Sequence, residues 1–211
     1  GTNYFKDYST FYNGRTAQIT DSVSAAANST MYIGTDKEDT YNSDGYNNYI
    51  YGKAGNDELR GGIGSDQIYG GEGNDKLYGN SGKDHLYGGS GDDLLDGGVG
   101  DDILEDEDGN DTYVFTRGYG KDTIIDAGGS NTIQFLDLMP KDILVNGTGE
   151  NDATIYIKNT SDSLTIKDFC KSEDLSDYTL QFKNVSMHCT DEKSPFRHIY
   201  GTENSDDLRT V

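Results

Sequence analysis

The sequence predicts an all-β fold, wound as a repeating coil of short strands, and three observations predict it. From Gly34 to Val114 the chain divides into nine consecutive nonapeptides without a gap, among them GGIGSDQIY, GGEGNDKLY and GGSGDDLLD. Position six of these repeats reads Asp39, Asn48, Asp57, Asp66, Asp75, Asp84, Asp93, Asp102 and Asp111, a column that is almost pure carboxylate. Position eight reads Tyr41, Ile50, Leu59, Ile68, Leu77, Leu86, Leu95, Leu104 and Tyr113, a column that is apolar throughout when tyrosine is included.

Each part of the repeat has a physical task. Glycines at positions one, two and four permit positive φ and the close backbone approach that a concave loop of carbonyls requires. The position-six aspartate adds a short, hard oxygen ligand. The x-U-x triplet that follows is long enough for a three-residue strand with one side chain turned inward. Two nonapeptides then complete one turn, so loop n lies over loop n+2. Oxygen-only cages between stacked loops suit Ca²⁺, which takes about six to eight oxygens. Thiolate and imidazole are missing from the ligand positions, which argues against zinc or copper.

Composition and charge agree with this chemistry. The chain has 211 residues, 32% of them apolar, with 17 Lys+Arg against 38 Asp+Glu and a net charge of −21. So little apolar surface barely offsets the ordering entropy of the backbone. The 16 Tyr, 7 Phe and 28 Gly nevertheless set the chain apart from a disordered acidic tail. The nine repeats alone carry a net −15. Nine loops form seven n/n+2 pairs, and about seven Ca²⁺ would bring that block close to neutrality. The acidic balance excludes a nucleic-acid binder that works through phosphate contacts. No apolar run reaches the ~18 residues of a transmembrane segment.

The G-G-x-G-x-D-x-U-x pattern resembles the RTX (repeats-in-toxin) nonapeptides of secreted bacterial proteins, the haemolysin-type calcium-binding repeats. The match is strict over residues 34–114 and extends weakly through Gly118–Ile124 after a two-residue offset. Repeats three to eight match best. Ser43 and Asn48 depart from the pattern in repeat two, and Asp106-Glu107 replaces the glycine pair of repeat nine, so occupancy is expected to fall at these edges.

The resemblance implies a right-handed parallel β-roll. It also implies that each ion takes the position-two and position-four carbonyls and the position-six side chain of one loop. Positions one, three and six of the loop one turn later complete the cage. On this chain the side-chain ligands form two columns, Asp39, Asp57, Asp75, Asp93, Asp111 and Asn48, Asp66, Asp84, Asp102. The backbone ligands are Gly52, Ala54, Gly55, Gly61, Gly62, Ile63, Gly64, Gly70, Gly71, Glu72, Gly73, Gly79, Asn80, Ser81, Gly82, Gly88, Gly89, Ser90, Gly91, Gly97 and Val99. The strongest pairs are expected to be Asp57/Asp75, Asp66/Asp84, Asp75/Asp93 and Asp84/Asp102, and the Asn48/Asp66 site the weakest complete one. The resemblance further implies a larger extracellular bacterial protein that reaches the outside by type I secretion, unfolded until it meets Ca²⁺.

The flanks read differently. Residues 1–33 are expected to form an N-terminal cap, with Tyr4, Phe5, Tyr8, Phe11 and Tyr12 available to cover the first coil. Residues 34–126 hold the roll and its degenerate extension. Residues 127–198 read as a β-rich capping segment with strands at Thr132–Phe135, Thr154–Lys158, Leu164–Lys167 and Tyr178–Phe182. Residues 199–211 place Asp206 and Leu208 in repeat register, as the start of a further block in a longer protein.

No enzyme motif is present: H-E-x-x-H, G-x-S-x-G and a Walker lysine loop are all missing. His188, Cys189 and His198 lack an evident fourth ligand for zinc, while a Cys170–Cys189 disulfide stays open. Tyr51, Tyr69 and Tyr87 occupy position nine of repeats two, four and six and are expected to stack one turn apart. Such a ladder either stabilises the sheet or serves a second reading of the chain, an adhesin or carbohydrate-recognition module with a host-surface or glycan ligand.

Overall fold

In each repeat the x-U-x triplet forms a strand with its middle side chain inward, and the glycine loop carries the chain across to the opposite sheet. A computed structural model describes residues 11–12, 15–16, 31–43, 47–148, 152–169 and 178–188. The strands are β1 (Phe11–Tyr12), β2 (Arg15–Thr16), β3 (Met31–Ile33), β4 (Thr40–Asn42), β5 (Tyr49–Ala54), β6 (Glu58–Ile63) and β7 (Gln67–Glu72). They continue as β8 (Lys76–Gly82), β9 (His85–Ser90), β10 (Leu94–Gly100), β11 (Ile103–Asp106), β12 (Thr112–Phe115) and β13 (Lys121–Asp126). The last are β14 (Asn131–Phe135), β15 (Ile143–Thr148), β16 (Asp152–Ile157), β17 (Ser163–Ile166), β18 (Tyr178–Phe182) and β19 (Val185–His188). Among the described residues there is no α-helix, and so none long and apolar enough to cross a membrane.

Beyond the separate β1–β2 pair, successive strands from β3 to β15 alternate between two sheets. One is eight-stranded in the order β19-β18-β14-β12-β10-β8-β6-β4, and the other nine-stranded in the order β15-β16-β17-β13-β11-β9-β7-β5-β3. Within the repeats every pairing is parallel and in register, so the position-eight side chains stack as two ladders. Leu59, Leu77, Leu95 and Tyr113 are successive partners in one sheet. Ile50, Ile68, Leu86 and Leu104 are successive partners in the other. All of these side chains are fully buried, and they form one continuous core. The fold is a parallel β-solenoid.

The parallel register outlasts the strict repeats. β13 pairs with β11 and β14 with β12, after which β17 and β18 add further parallel strands. Only then do antiparallel partners close the sheets, β16 and β15 beside β17 and β19 beside β18. The core also changes there. Phe135 and Phe182 stack with ring centroids 5.0 Å apart, and Phe115, Leu138 and Ile155 are buried around that end. At the opposite end Tyr32 and Tyr41 stack at 4.0 Å against the first coil. Phe11 and Tyr12 lie in a short antiparallel pair with β2, whereas Tyr4, Phe5 and Tyr8 fall outside the described residues. Cys170, Cys189, His198 and residues 199–211 also fall outside them.

Two loop positions show why glycine recurs. A β-carbon on Gly71, at position two, would collide with the Lys53 carbonyl one turn earlier, and one on Gly82, at position four, with that of Gly64. Lys53 and Asn80 fill position two without being glycine and hold φ of 91° and 73°, a left-handed conformation that strains an L residue.

Candidate metal centre

The strand register fixes how one loop meets the next. Each position-six N–H donates to Oδ1 of the aspartate one turn later: Asp57 to Asp75 at 2.7 Å, Asp66 to Asp84 at 2.8 Å, Asp75 to Asp93 at 2.6 Å. Asp84 donates to Asp102 at 2.8 Å, and Asp93 to Asp111 at 2.9 Å. The other carboxylate oxygen is left over. Oδ2 of Asp57, Asp66, Asp75, Asp84, Asp93, Asp102 and Asp111 is buried and has no hydrogen-bond partner. A buried unpartnered polar atom costs roughly 1–3 kcal/mol, and more when charged. A whole row of them is not a self-sufficient core.

Other oxygens point at the same gaps. From Asp57 to Asp102 each leftover Oδ2 lies over the position-one glycine of its own loop, Asp57 over Gly52 and Asp84 over Gly79. The position-one carbonyl of the next turn, Gly70 or Gly97, reaches into the same space. The Lys53 and Gly55 carbonyls, at positions two and four, aim forward at Gly71 and Gly73 one turn on. Position-three carbonyls aim back and each accept one N–H, Glu72 from Gly55 at 2.8 Å and Ser81 from Gly64 at 2.9 Å, which leaves a second lone pair. Carboxylate and carbonyl oxygens from two loops thus converge on one gap. An all-oxygen set of this kind fits a hard cation of calcium's size.

Residues 33–119 match the family model of the RTX calcium-binding nonapeptide repeat (4 copies), in five overlapping windows. This stretch is an RTX calcium-binding repeat block. No curated protein matches the chain.

The edges of the RTX block differ from its middle. Oδ2 of Asp39 accepts from Thr35, at 2.6 Å from the backbone N–H and 3.0 Å from the hydroxyl. The Asn48 amide donates to the Gly61 carbonyl and to Oδ1 of Asp66, both at 2.8 Å, and so points hydrogens at oxygens that a cation would need. Beyond repeat nine both columns go on at a spacing of 20 residues. The Asp102 N–H donates to Asp122 at 3.1 Å and the Asp111 N–H to Asn131 at 2.7 Å. Asp122 leaves a buried Oδ2 without a partner, as the repeat aspartates do. Sequence reasoning did not name Asp122 or Asn131 as site residues, although the two-residue offset before Asp122 was the signal for both. It also passed over Asp106, which it read only as a lost glycine. Oxygens of Asp93, Asp106 and Asp111 lie within 4.8 Å of one another.

Burial sets the protonation of these carboxyls in the metal-free roll. It pushes Asp75 and Asp102 up to about 6, Asp84 and Asp111 to about 7, and Asp93 and Asp122 to about 8, against 3.8 for an ordinary aspartate. Backbone N–H donors pull each of them partly back. Without a cation the rolled form therefore holds protons that an unfolded chain has released.

The tyrosines of position nine do stack. Tyr51 and Tyr69 lie 4.7 Å apart and Tyr69 and Tyr87 4.4 Å apart, with rings nearly parallel. Both faces of Tyr69 are covered by its neighbours, so a sugar has no open face to stack on there. His188 lies on β19 beside the Thr179 hydroxyl at 3.1 Å.

Proposed function

We propose that the chain is a calcium-triggered folding module of a larger secreted bacterial protein that leaves the cell by type I secretion. The observation that carries this reading is the row of buried Oδ2 atoms with no hydrogen-bond partner. Bound calcium supplies the positive charge that these oxygens lack. The position-six carboxylates and loop carbonyls hold it, and since the unfolded chain has no such cages, binding free energy becomes folding free energy. Without it, repulsion within the −15 block and a narrow core favour the open chain, a state suited to passage through a channel. The role is structural rather than catalytic, because the carboxylates are buried away from any substrate.

Circular dichroism tests this. In EDTA at about pH 8 the spectrum should be mainly coil, turning cooperatively to β-sheet with millimolar Ca²⁺ and far less with Mg²⁺, whose tight octahedral shell fits these gaps poorly. The rolled form binds more protons than the unfolded one between the ordinary carboxylate range and about 9, the value to which burial raises Asp106, so its metal-free stability falls as pH rises through that window. Lowering the pH in EDTA from about 8 to about 5 should restore part of the β signal. A full β spectrum in EDTA at the higher pH, unchanged by Ca²⁺, would overturn the reading.

A further inference from the structure

Among the gaps of the roll, the one between repeats seven and nine is built differently. Over Gly52 and Gly79 the oxygen arriving from the next turn is a backbone carbonyl, that of Gly70 or Gly97. Over Gly88 that place is taken by Oδ2 of Asp106, beside Oδ2 of Asp93. Asp106 is 3% exposed. Its Oδ1 is held by the N–H groups of Gly89 at 3.1 Å and Glu107 at 2.8 Å, which aims Oδ2 into the gap, where it has no hydrogen-bond partner. Asp111 brings a third carboxylate to the same point.

We propose that Asp106 is a calcium ligand through Oδ2, and that the gap between repeats seven and nine is therefore the tightest cation site of the block and the first to fill. The inference rests on the calcium reading above. A carboxylate in place of a carbonyl puts a full negative charge where the other gaps have a partial one. Calcium affinity rises with the number of charged ligands in a rigid site. The site should also favour a trivalent cation over Ca²⁺ more strongly than its neighbours do, since it gathers three carboxylates.

The test is a calcium titration of the full chain by calorimetry against a competing chelator, with Asp106→Asn and Asp106→Gly beside the unsubstituted protein. The unsubstituted chain should show one ion bound about tenfold or more tighter than the rest, and both variants should lose that class. Asp106→Gly puts at position one the residue that repeats three to eight carry there and keeps the backbone carbonyl, so it should keep the β spectrum and the total ion count at saturation. It keeps the test decisive if Asp106→Asn fails to fold. La³⁺ should displace the tight ion first in the unsubstituted chain and show no such preference in either variant. A tight class that survives in Asp106→Gly would overturn the assignment while leaving the calcium reading intact. Absence of calcium binding in all three chains would overturn both.

Discussion

Asp75→Ala should raise the calcium midpoint and flatten the folding transition far more than Asp39→Ala. Asp75 stands mid-column and its two oxygens face different ways. Oδ1 accepts the Asp57 N–H one turn earlier at 2.7 Å, and Oδ2 lies over Gly70, where the Gly88 carbonyl of the next turn also points. One side chain thus ties down the turn below and turns an unpartnered oxygen into the gap above. On the calcium reading proposed above, its loss removes a charged ligand from the gap above and leaves the buried Asp57 N–H of the turn below unpaired, at a cost of about 1–3 kcal/mol for the N–H alone. Asp39 ends its column, and its Oδ2 is already engaged by Thr35. Nearest-neighbour coupling in a solenoid spreads the central loss to the stacked turns. Asp75→Asn separates the two effects, because its amide oxygen still accepts the Asp57 N–H while the charge is gone. Calcium titrations followed by circular dichroism in one buffer check this, and equal midpoints for Asp75→Ala and Asp39→Ala would mean that the sites act independently.

Leu77→Ala should also raise the midpoint, by a different route. Leu77 is fully buried between its ladder partners Leu59 and Leu95 and belongs to the apolar core. Truncation leaves a cavity worth roughly 2–5 kcal/mol, because the stacked strands around it are pinned by their register and relax little. Folding and binding are linked, so this loss appears as a demand for more calcium. The number of ions bound at saturation should stay the same. A lower ion count for Leu77→Ala would show that core and cages are not separable in this way.

The two periodic columns made most of the roll legible. An apolar side chain at every position eight and an aspartate at position six leave one register in which both stack, and the hydrogen bonds from Asp57 to Asp75 and from Asp66 to Asp84 follow it at 18 residues. The stacking of Tyr51, Tyr69 and Tyr87 follows from the same period. What lay beyond the strict repeats was harder to read. Alternation in Tyr178–Phe182 marks a strand without naming its partner, and only the structure pairs it in parallel with β14. The step to 20 residues at Asp122 breaks the period without breaking the column. Asp106 shows a different limit. A consensus records it as a missing glycine, while the fold turns its carboxylate into the gap beside Asp93.

The most direct measurement is an anomalous difference map from crystals of the chain grown in Ca²⁺, with data collected at long wavelength. The expected result is two rows of peaks between stacked loops, spaced by about one strand separation of ~4.8 Å, along Asp57, Asp75, Asp93, Asp111 and along Asp66, Asp84, Asp102. Peaks confined to exposed carboxylates such as Asp101, with none between the loops, would contradict it.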